Sequence, residues 1–247
     1  MKRSSALLSL ALACSIFILS CVKHHADEAP LTPQCDRINQ IFGYTYPSNT
    51  PYPLAKLSYD SKGRISTVDA EANTKLIFTY FNDHIDLKTS GPSAPDISIT
   101  YNLDDHGRIT GTSLFNNAFQ YNNEGYLVSF KLLNGDGTET AYKLSYEAGN
   151  LKEIRDSQNT LYYSFTYYDR ENQDMAGLNA PILSENEAYE KVTLFLTGSG
   201  FFGKQSKNLV KNIHQEGYTA PDIKYQFDDK GRVISKSGIY SFNYECK

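Results

Sequence analysis

The stretch Tyr59-Asp60-Ser61-Lys62-Gly63-Arg64-Ile65 sets the fold of this chain, because copies of it recur along the sequence. Close copies occupy residues 104–109 and 227–233, and looser copies occupy 121–127 and 146–151. Each copy contains a short polar run with a Gly, and an aliphatic residue follows it. Such runs between apolar segments are typical of β-hairpin turns. The repeats therefore predict a series of antiparallel hairpins.

Two residue types take fixed places in these turns. The Gly comes late, where a loop of about three to five residues needs a residue that tolerates positive φ. The Asp or Asn ahead of it can accept hydrogen bonds from backbone N–H groups and start the turn. Arg64, Arg108 and Arg232 follow the Gly and are expected on the solvated face of the return strand. Because these charges recur wherever a hairpin is needed, they favour a structural role over a catalytic one.

Between the turns, apolar and polar residues alternate with a period of two. For example, Ile97, Ile99 and Tyr101 share one face of a segment, while Ser98 and Thr100 share the other. This alternation indicates strands with one buried and one solvated face. About fourteen or fifteen such runs predict an all-β protein, built as a large antiparallel up-and-down meander. A meander of this length leaves open edges unless it closes, so we expect a water-soluble barrel or half-barrel with its aromatic face inward.

The composition agrees with a β-rich protein. The chain has 247 residues, with 19 Tyr, 13 Phe and no Trp, and both common aromatic types favour strands. The net charge is −4, and it would fall to −6 if Lys2 and Arg3 were removed with a signal peptide. Since no basic patch offers a phosphate-binding surface, no nucleic acid partner is expected.

The N-terminus has the layout of a signal peptide. Lys2 and Arg3 precede an apolar run over residues 6–19, which is too short to be a persuasive membrane span. The segment Ile18-Leu19-Ser20-Cys21 resembles a lipobox, the bacterial motif in which cleavage precedes a Cys that is then lipidated. The alternative is simple secretion with Cys21 unmodified.

This layout predicts a cellular address. Residues 1–20 are interpreted as a lipoprotein signal peptide, Cys21 as the lipidation site and 21–34 as a flexible tether. The lipid would anchor the protein to a bacterial outer membrane without spanning it, on the periplasmic or the outer face. The anchor is then the expected membrane contact.

The remaining residues, 35–247, are predicted to form a single β-domain. Within it, Cys35 and Cys246 lie at the two ends, and two Cys in an oxidising compartment are plausible disulfide partners. A bond between them would require the two ends of the domain to meet. Two free thiols are the alternative.

One stretch, residues 172–208, breaks the period-two pattern. Ser184 with Glu187 forms a capping box that predicts a helix over about 185–196. The Gly-rich run Gly198-Ser199-Gly200-Phe201-Phe202-Gly203-Lys204 follows and lacks the spacing of a phosphate-binding loop. A barrel of about fourteen strands is too wide for its own side chains to fill, so this insertion is expected to plug or cap it. A flattened sandwich, or a pocket lined by Tyr and Phe, are the alternatives.

The turns and the insertion together carry a family resemblance. The repeated Asp-x-x-Gly-Arg-Ile/Val turns resemble YD-type (Rhs-like) repeats. With the run from Gly200 to Leu209 and the lipobox, residues 50–245 resemble a family of Bacteroides-type lipoproteins of unknown function with a porin-like fold. The resemblance implies a large curved antiparallel sheet, and it implies no activity and no catalytic residue.

No pattern in the sequence nominates a reaction. His84, His106 and His214 lie far apart and make no metal-ligand pattern, so neither a metal nor another cofactor is predicted. The run Asn134-Gly135-Asp136-Gly137 with Glu139 lacks the spacing of an EF-hand and is interpreted as a hairpin turn.

Three functions therefore stay open. The first is a non-catalytic binding or interaction module of the cell envelope, whose aromatic-lined concave face would take a glycan, a lipid or a peptide. The second is an envelope hydrolase with a site assembled from scattered residues. The third is a purely structural protein. The sequence leaves the oligomeric state open.

Overall fold

β-Strands make up nearly all of the regular structure. The computed structural model describes residues 37–45, 50–70, 73–92, 97–113, 119–133, 138–172, 196–237 and 240–245. The strands are β1 (Arg37–Thr45), β2 (Thr50–Tyr59), β3 (Ile65–Ala70), β4 (Thr74–Tyr80), β5 (His84–Ser90), β6 (Ser98–Leu103), β7 (Ile109–Thr112), β8 (Gln120–Tyr121), β9 (Leu127–Leu133), β10 (Glu139–Glu147), β11 (Asn150–Asp156), β12 (Leu161–Glu171), β13 (Asn208–Gln215), β14 (Tyr218–Thr219), β15 (Tyr225–Phe227), β16 (Val233–Lys236) and β17 (Tyr240–Glu245). Residues 196–198 are the only α-helical ones within these ranges. The all-β prediction is therefore confirmed.

The strands form two antiparallel sheets. The first has ten strands in the order β15-β16-β17-β1-β2-β3-β4-β5-β6-β7, and the second has seven in the order β14-β13-β12-β11-β10-β9-β8. Every pairing is antiparallel, and β17 returns to pair with β1. Neighbours in the sheets are thus neighbours in the chain, apart from that return.

A one-residue bulge follows each of the five repeated turns described above. In the β2–β3 hairpin, Ser58 pairs with Thr67 and Tyr59 pairs with Ile65, which leaves Ser66 as the extra residue. The same shift occurs in the β6–β7, β8–β9, β10–β11 and β15–β16 hairpins. Because a bulge increases the local twist of a strand pair, these turns bend both sheets in the same way.

Both sheets contribute to one apolar core. Ile85 and Ile109 reach it from the ten-stranded sheet, and Leu151 and Ile154 reach it from the seven-stranded one. Each of these four side chains is at most 2% exposed. Burial of a side chain of this size contributes about 1.5–3 kcal/mol, so the shared core is the main force that holds the two sheets together.

Single backbone hydrogen bonds bridge the gaps between the sheets. On one side, Phe119 N–H donates to the carbonyl of Thr110 over 3.1 Å, which links the segment entering β8 to β7. On the other side, Ile223 N–H donates to Lys211 over 2.7 Å, and Ser237 N–H donates to Lys224 over 2.6 Å. The segment between β14 and β15 therefore contacts both sheets. The strand ladders themselves remain two sheets in the described residues, so a closed barrel or half-barrel stays a prediction.

Several sequence predictions fall outside the described residues. These are the signal peptide 1–20, the lipidation site Cys21, the tether 21–34, the cysteines Cys35 and Cys246, the turn 134–137, and the helix from 185 to 195 with its capping box at Ser184 and Glu187. No helix in the described ranges is long and apolar enough to cross a membrane.

Candidate functional site at the turn end of the sheets

The motif-bearing turns gather at one end of the molecule. In the ten-stranded sheet, the antiparallel order places the β2–β3, β6–β7 and β15–β16 turns at the same end. The β8–β9 and β10–β11 turns of the other sheet join the β6–β7 turn through residues 196–208, as detailed below. We call this region the turn end.

Each close copy of the motif builds the same cluster of side chains. Asp60 Oδ1 accepts hydrogen bonds from the backbone N–H groups of Lys62 and Arg64, each over 2.9 Å. Asp60 Oδ2 accepts from Arg64 Nε over 2.8 Å and lies 2.7 Å from Nη2. The guanidinium lies over the ring of Tyr80, 4.1 Å from its centroid. The Tyr80 hydroxyl donates to the carbonyl of Ile65 over 2.7 Å, which ties the next hairpin to this turn.

We call this cluster an Asp–Arg–Tyr unit, and it occurs three times. The guanidinium-to-ring distances in the second and third units are 4.4 and 4.3 Å, and both Tyr hydroxyls donate over 2.7 Å to the carbonyl of the residue after the Arg. The other two units are Asp104–Arg108–Tyr121 and Asp228–Arg232–Tyr244. A Tyr missed by the sequence reasoning thus completes each unit. For Tyr80 and Tyr121, the aromatic residue that opens the next turn was the available signal.

The Arg side chains are partly covered, less solvated than predicted, and that of Arg64 is 32% exposed. The side chains of Arg108 and Arg232 are each only 20% exposed. The physical reason is that the Asp carboxylate clamps one edge of the guanidinium while a Tyr ring covers its face.

The ionisation of the unit fits a structural role. Partial burial acts to raise the pKa of Asp60, but hydrogen bonds from Arg64 and the charge of its guanidinium outweigh this effect and hold the pKa below its usual value. The same balance lowers the pKa of Asp104 and Asp228. Burial raises the pKa of the Tyr80 hydroxyl well above its usual value. At neutral pH the first unit is therefore an ion pair beside a neutral phenol, which is not an arrangement for proton transfer.

The end of the insertion lies across the turn end, and we call residues 196–208 the strap. Leu196 and Phe202 are 1% and 5% exposed and enter the core, where Phe202 packs edge-on against Phe119 with ring centroids 5.1 Å apart. Phe201 stacks on Tyr80 of the first unit, 5.5 Å between centroids. The strap thus contributes side chains to the shared core and contacts the turn end, whereas the role of the insertion 172–208 as the plug or cap of a barrel stays a prediction.

Backbone hydrogen bonds fasten the strap to three successive turns. Ile109 N–H donates to Phe201 over 2.8 Å, and Lys204 N–H donates to Gly125 over 2.9 Å. Lys207 N–H then donates to Gly149 over 2.9 Å. The strap thus joins the β6–β7 turn of one sheet to the β8–β9 and β10–β11 turns of the other.

Only Gly fits where the strap meets the β8–β9 turn. Gly203 has φ +79°, and a Cβ there would lie 2.4 Å from the carbonyl oxygen of Gly125 and 3.0 Å from the ring of Tyr121. Side chains other than Gly avoid this backbone region, and the space itself is filled. The Gly-rich run is therefore a docking device, not a phosphate-binding loop.

An open depression of about 600 Å³ lies between the strap and two turns. The β6–β7 turn contributes His106 and Arg108, the β8–β9 turn contributes residues 122–125 with Tyr121 before them, and the strap contributes Gly200, Gly203 and Lys204. We call it the turn-end depression. Three separate segments of the chain therefore meet around one volume.

Several polar groups of the depression have hydrogen-bonding capacity that the described residues leave unused. The imidazole of His106 and the carboxylate of Glu124 form no hydrogen bond or ion pair with the described residues. The ammonium of Lys204 has only the ring of Tyr126, 5.6 Å from its centroid. The carboxylate of Asp104 binds Nε and Nη2 of Arg108. The third guanidinium nitrogen, Nη1, lies 4.0 Å from where a Cβ of Gly125 would be. These groups are free to meet a ligand.

The other histidines lie apart from the depression. His84 stacks on Phe81 with ring centroids 4.2 Å apart, and its Nδ1 lies 2.6 Å from the carboxylate of Asp83. His214 on β13 contacts Thr219 Oγ1 through Nδ1. Among the residues that the structure describes, no three His, Cys, Asp or Glu side chains come together as a metal site.

Comparisons with known proteins place the fold. No family model and no curated protein matches the chain. The crystal structure of a porin-like protein from Bacteroides uniformis ATCC 8492 is similar, with a TM-score of 0.60 and 15% identity over 85% of this chain and 98% of that one. A porin-like protein from Bacteroides vulgatus ATCC 8482 has a TM-score of 0.51 and 13% identity over 84% and 98%. At this identity the likeness shows a porin-like fold, in agreement with the sequence resemblance.

Proposed function

We propose that the protein is a non-catalytic binding module of the cell envelope, and that the turn-end depression is its binding surface. The observation that carries the proposal is the set of polar side chains around the depression that the fold does not use. The Asp–Arg–Tyr units, the bulged turns and the strap each have a clear structural role. His106, Glu124 and Lys204 have none that the described contacts reveal.

The carboxylates favour binding over hydrolysis. Glycoside hydrolysis needs two carboxyl groups facing each other across the scissile bond. Glu124 is the only carboxylate among the residues lining the depression, and nearby Asp104 is committed to Arg108. An acid–base pair would have to come from a larger rearrangement of the turn.

The inward aromatic face is a weaker candidate for the binding surface. Phe78, Tyr101 and Tyr142 are each at most 5% exposed and pack into the core between the sheets. This packing also favours the second candidate function, a purely structural protein. The depression distinguishes the two functions, because a structural protein has no need of unpaired charges around a cleft.

The lipid anchor at Cys21 belongs to the same proposal. A lipidated Cys would hold the module at a bacterial outer membrane on a tether, residues 21–34. Replacing Cys21 with Ala should abolish labelling by a radioactive fatty acid and release the protein into the aqueous phase of a detergent partition. Persistent labelling would show that Cys21 is not the site.

We extend the proposal to closure of the sheets into one flattened barrel. The bridging hydrogen bonds at Thr110 and Lys211 support closure on the two sides. Arg37 pairs with Glu245 between β1 and β17, so the ends of the domain meet within two residues of Cys35 and Cys246. A disulfide between these two cysteines fits that pairing. Mass spectrometry of the non-reduced protein should detect a peptide that links them, and free thiols at both positions would remove the disulfide.

Binding is tested by nuclear magnetic resonance on the isotope-labelled full chain. Three probes are added separately: an oligosaccharide mixture, phosphatidylglycerol vesicles and a mixture of short peptides. One of them should shift the amide signals of Gly125 and Gly203. Asn123→Trp, which fills the depression, should remove the shifts, whereas Ser61→Trp at the matching position of the β2–β3 turn should not. If no probe shifts these signals, or if Asn123→Trp leaves the shifts intact, the proposed function is wrong.

A further inference from the structure

We infer that the ligand of the turn-end depression is an acidic saccharide, a sugar that carries a carboxylate. This inference rests on the proposed function and adds the chemistry of the ligand. It follows from where the free charges of the depression lie, from what Glu124 can accept, and from an exposed aromatic pair in a neighbouring turn.

Two side chains that carry positive charges, Arg108 and Lys204, flank Gly125 at the edge of the depression. A Cβ atom, if Gly125 carried one, would lie 4.0 Å from Nη1 of Arg108 and 3.9 Å from Cε of Lys204. No side chain occupies that point, because the residue there is a Gly with φ +91°. The exposed His106 adds a third donor from the opposite turn. A carboxylate bound in the depression above Gly125, between these side chains, would receive charge-assisted hydrogen bonds, which are about twice as strong as neutral ones.

Arg108 is prepared for this role by its own unit. Asp104 holds Nε and Nη2 over 2.8 and 2.7 Å, and the Tyr121 ring covers the face of the guanidinium. The side chain is therefore fixed before a ligand arrives, so little conformational entropy is lost on binding. In the third unit the matching atom, Arg232 Nη1, is buried and has no partner. The strap and the β8–β9 turn thus distinguish this unit from the others.

Glu124 indicates that the ligand is more than a simple anion. Its free carboxylate can only accept hydrogen bonds, so it needs a ligand with donors. Sugar hydroxyls are such donors, and the side-chain amides of Asn122 and Asn123 can bind them as well. A fatty acid or an inorganic anion would leave Glu124 unsatisfied and would be repelled by it.

An exposed aromatic pair in the neighbouring β4–β5 turn, outside the depression, offers a contact for a second sugar ring of a longer ligand. Phe81 is 46% exposed and stacks on His84 in the β4–β5 turn. That turn is fastened to the β6–β7 turn, because Leu103 N–H donates to the carbonyl of Asp83 over 2.8 Å. An exposed flat ring with an apolar face offers a platform for the C–H face of a sugar. The ligand is therefore expected to be an oligomer.

The test compares an acidic sugar with its uncharged methyl ester. Trigalacturonate and its trimethyl ester are titrated into the full chain, and the dissociation constants are measured by calorimetry and by the Gly125 and Gly203 amide signals. The acid should bind about tenfold more tightly than the ester, and added salt should narrow this difference because it screens the charges. Equal affinities would overturn the inference.

Three variants test how each charge of the depression affects the affinity for the sugar. Lys204→Gln should weaken trigalacturonate binding about fivefold. Glu124→Gln should weaken binding of the uncharged trimethyl ester about twofold, because the charged acceptor of the sugar hydroxyls is lost. Lys230→Gln, the same change in the third repeat, should have no effect. If Glu124→Gln leaves binding of the ester unchanged, or if Lys204→Gln leaves binding of the acid unchanged, the ligand is not an acidic sugar.

The outcomes also separate this inference from the proposed function. If acid and ester bind equally and Asn123→Trp abolishes both, the depression is a binding surface for neutral sugars and only the acidic class is wrong. If vesicles or peptides shift the Gly125 signal and trigalacturonate does not, the inference fails while the binding module stands. Failure of every probe would remove both.

Discussion

The Asp–Arg–Tyr unit predicts a large loss of stability when its carboxylate is neutralised. Asp228→Asn in the third unit is the sharpest perturbation, because this unit lies outside the depression and is well covered. The Asp228 and Arg232 side chains are 16% and 20% exposed. The Asn retains an oxygen for the backbone N–H groups of Lys230 and Arg232, which now donate over 3.0 and 2.8 Å. It loses the oxygen that binds the guanidinium.

The magnitude follows from the bonds that are lost. Asp228 Oδ2 accepts from Nε of Arg232 over 2.7 Å and lies 2.5 Å from its Nη2. In Asp228→Asn, the amide N–H₂ that takes the place of Oδ2 is itself a donor and faces these two donors of the guanidinium. Hydrogen bonds to charged groups contribute about 1.5–3 kcal/mol, and the partly covered guanidinium would be left without its counter-ion. We expect Asp228→Asn to cost about 2–3 kcal/mol. In a chain of this size that is a fall in Tm of about 4–12 °C.

The β8–β9 turn shows a residue pair that should compensate for the loss of the Asp228 carboxylate. In the β8–β9 turn, Asn122 Oδ1 accepts from the N–H groups of Glu124 and Tyr126 over 3.1 and 2.9 Å, with Tyr in place of the Arg. The double variant Asp228→Asn/Arg232→Tyr copies this pair and removes the unpaired charge. It should therefore recover at least half of the loss.

Urea unfolding measures these differences. With 19 Tyr and no Trp, Tyr fluorescence and far-ultraviolet circular dichroism are the suitable signals. The slope of the free energy of unfolding against urea should stay constant across the variants, since the buried area does not change. The reasoning is refuted if Asp228→Asn costs less than about 0.5 kcal/mol, or if the double variant is less stable than the single one.

Three further predictions follow from the same contacts. First, the folded pKa of Asp228 lies below its unfolded value, so its contribution to the free energy of unfolding is present above about pH 4 and is lost as pH falls through the folded pKa. Urea midpoints from pH 7 to pH 3 should therefore fall more steeply for the native chain than for Asp228→Asn. Second, burial raises the pKa of Tyr167 to about 12, so its contribution to the free energy of unfolding is present below the unfolded value of about 10 and is lost as pH rises through 12. Absorbance at alkaline pH should show late phenol ionisation, and ordinary titration of every Tyr would contradict this. Third, Gly203→Ala should cost about 2 kcal/mol or more, through its clash with Gly125 and its positive φ, and should speed hydrogen exchange at the strap. Gly217→Ala is the matched control, with φ +75° but no atom within 4 Å, and should cost about 1 kcal/mol.

The candidate site shows where sequence reasoning ran short. The turn chemistry of Asp104, Gly107 and Arg108 was readable as a repeat, and the insertion was recognisable as a break in the pattern. The role of Tyr121 was not, because its hydroxyl bonds to Ile109 in the preceding turn. Nor did the sequence indicate that Lys204 would lie beside the β8–β9 turn, since its contact with Gly125 joins residues about eighty positions apart.

The strands, the turns and the hairpin register were determined by the sequence itself. A period of two, a Gly where φ is positive and an Asp that accepts from the next N–H groups all act within a few residues, so the sequence displays them directly. Gly63, Gly107, Gly125 and Gly231 have φ values of +82°, +74°, +91° and +79°, as the turns required. The tertiary structure alone decided that the ladder divides into two sheets with a shared core, that each Arg lies under a Tyr ring, and that the strap joins three turns around a charged depression. These features depend on contacts between segments far apart in the chain, and no local period records such contacts.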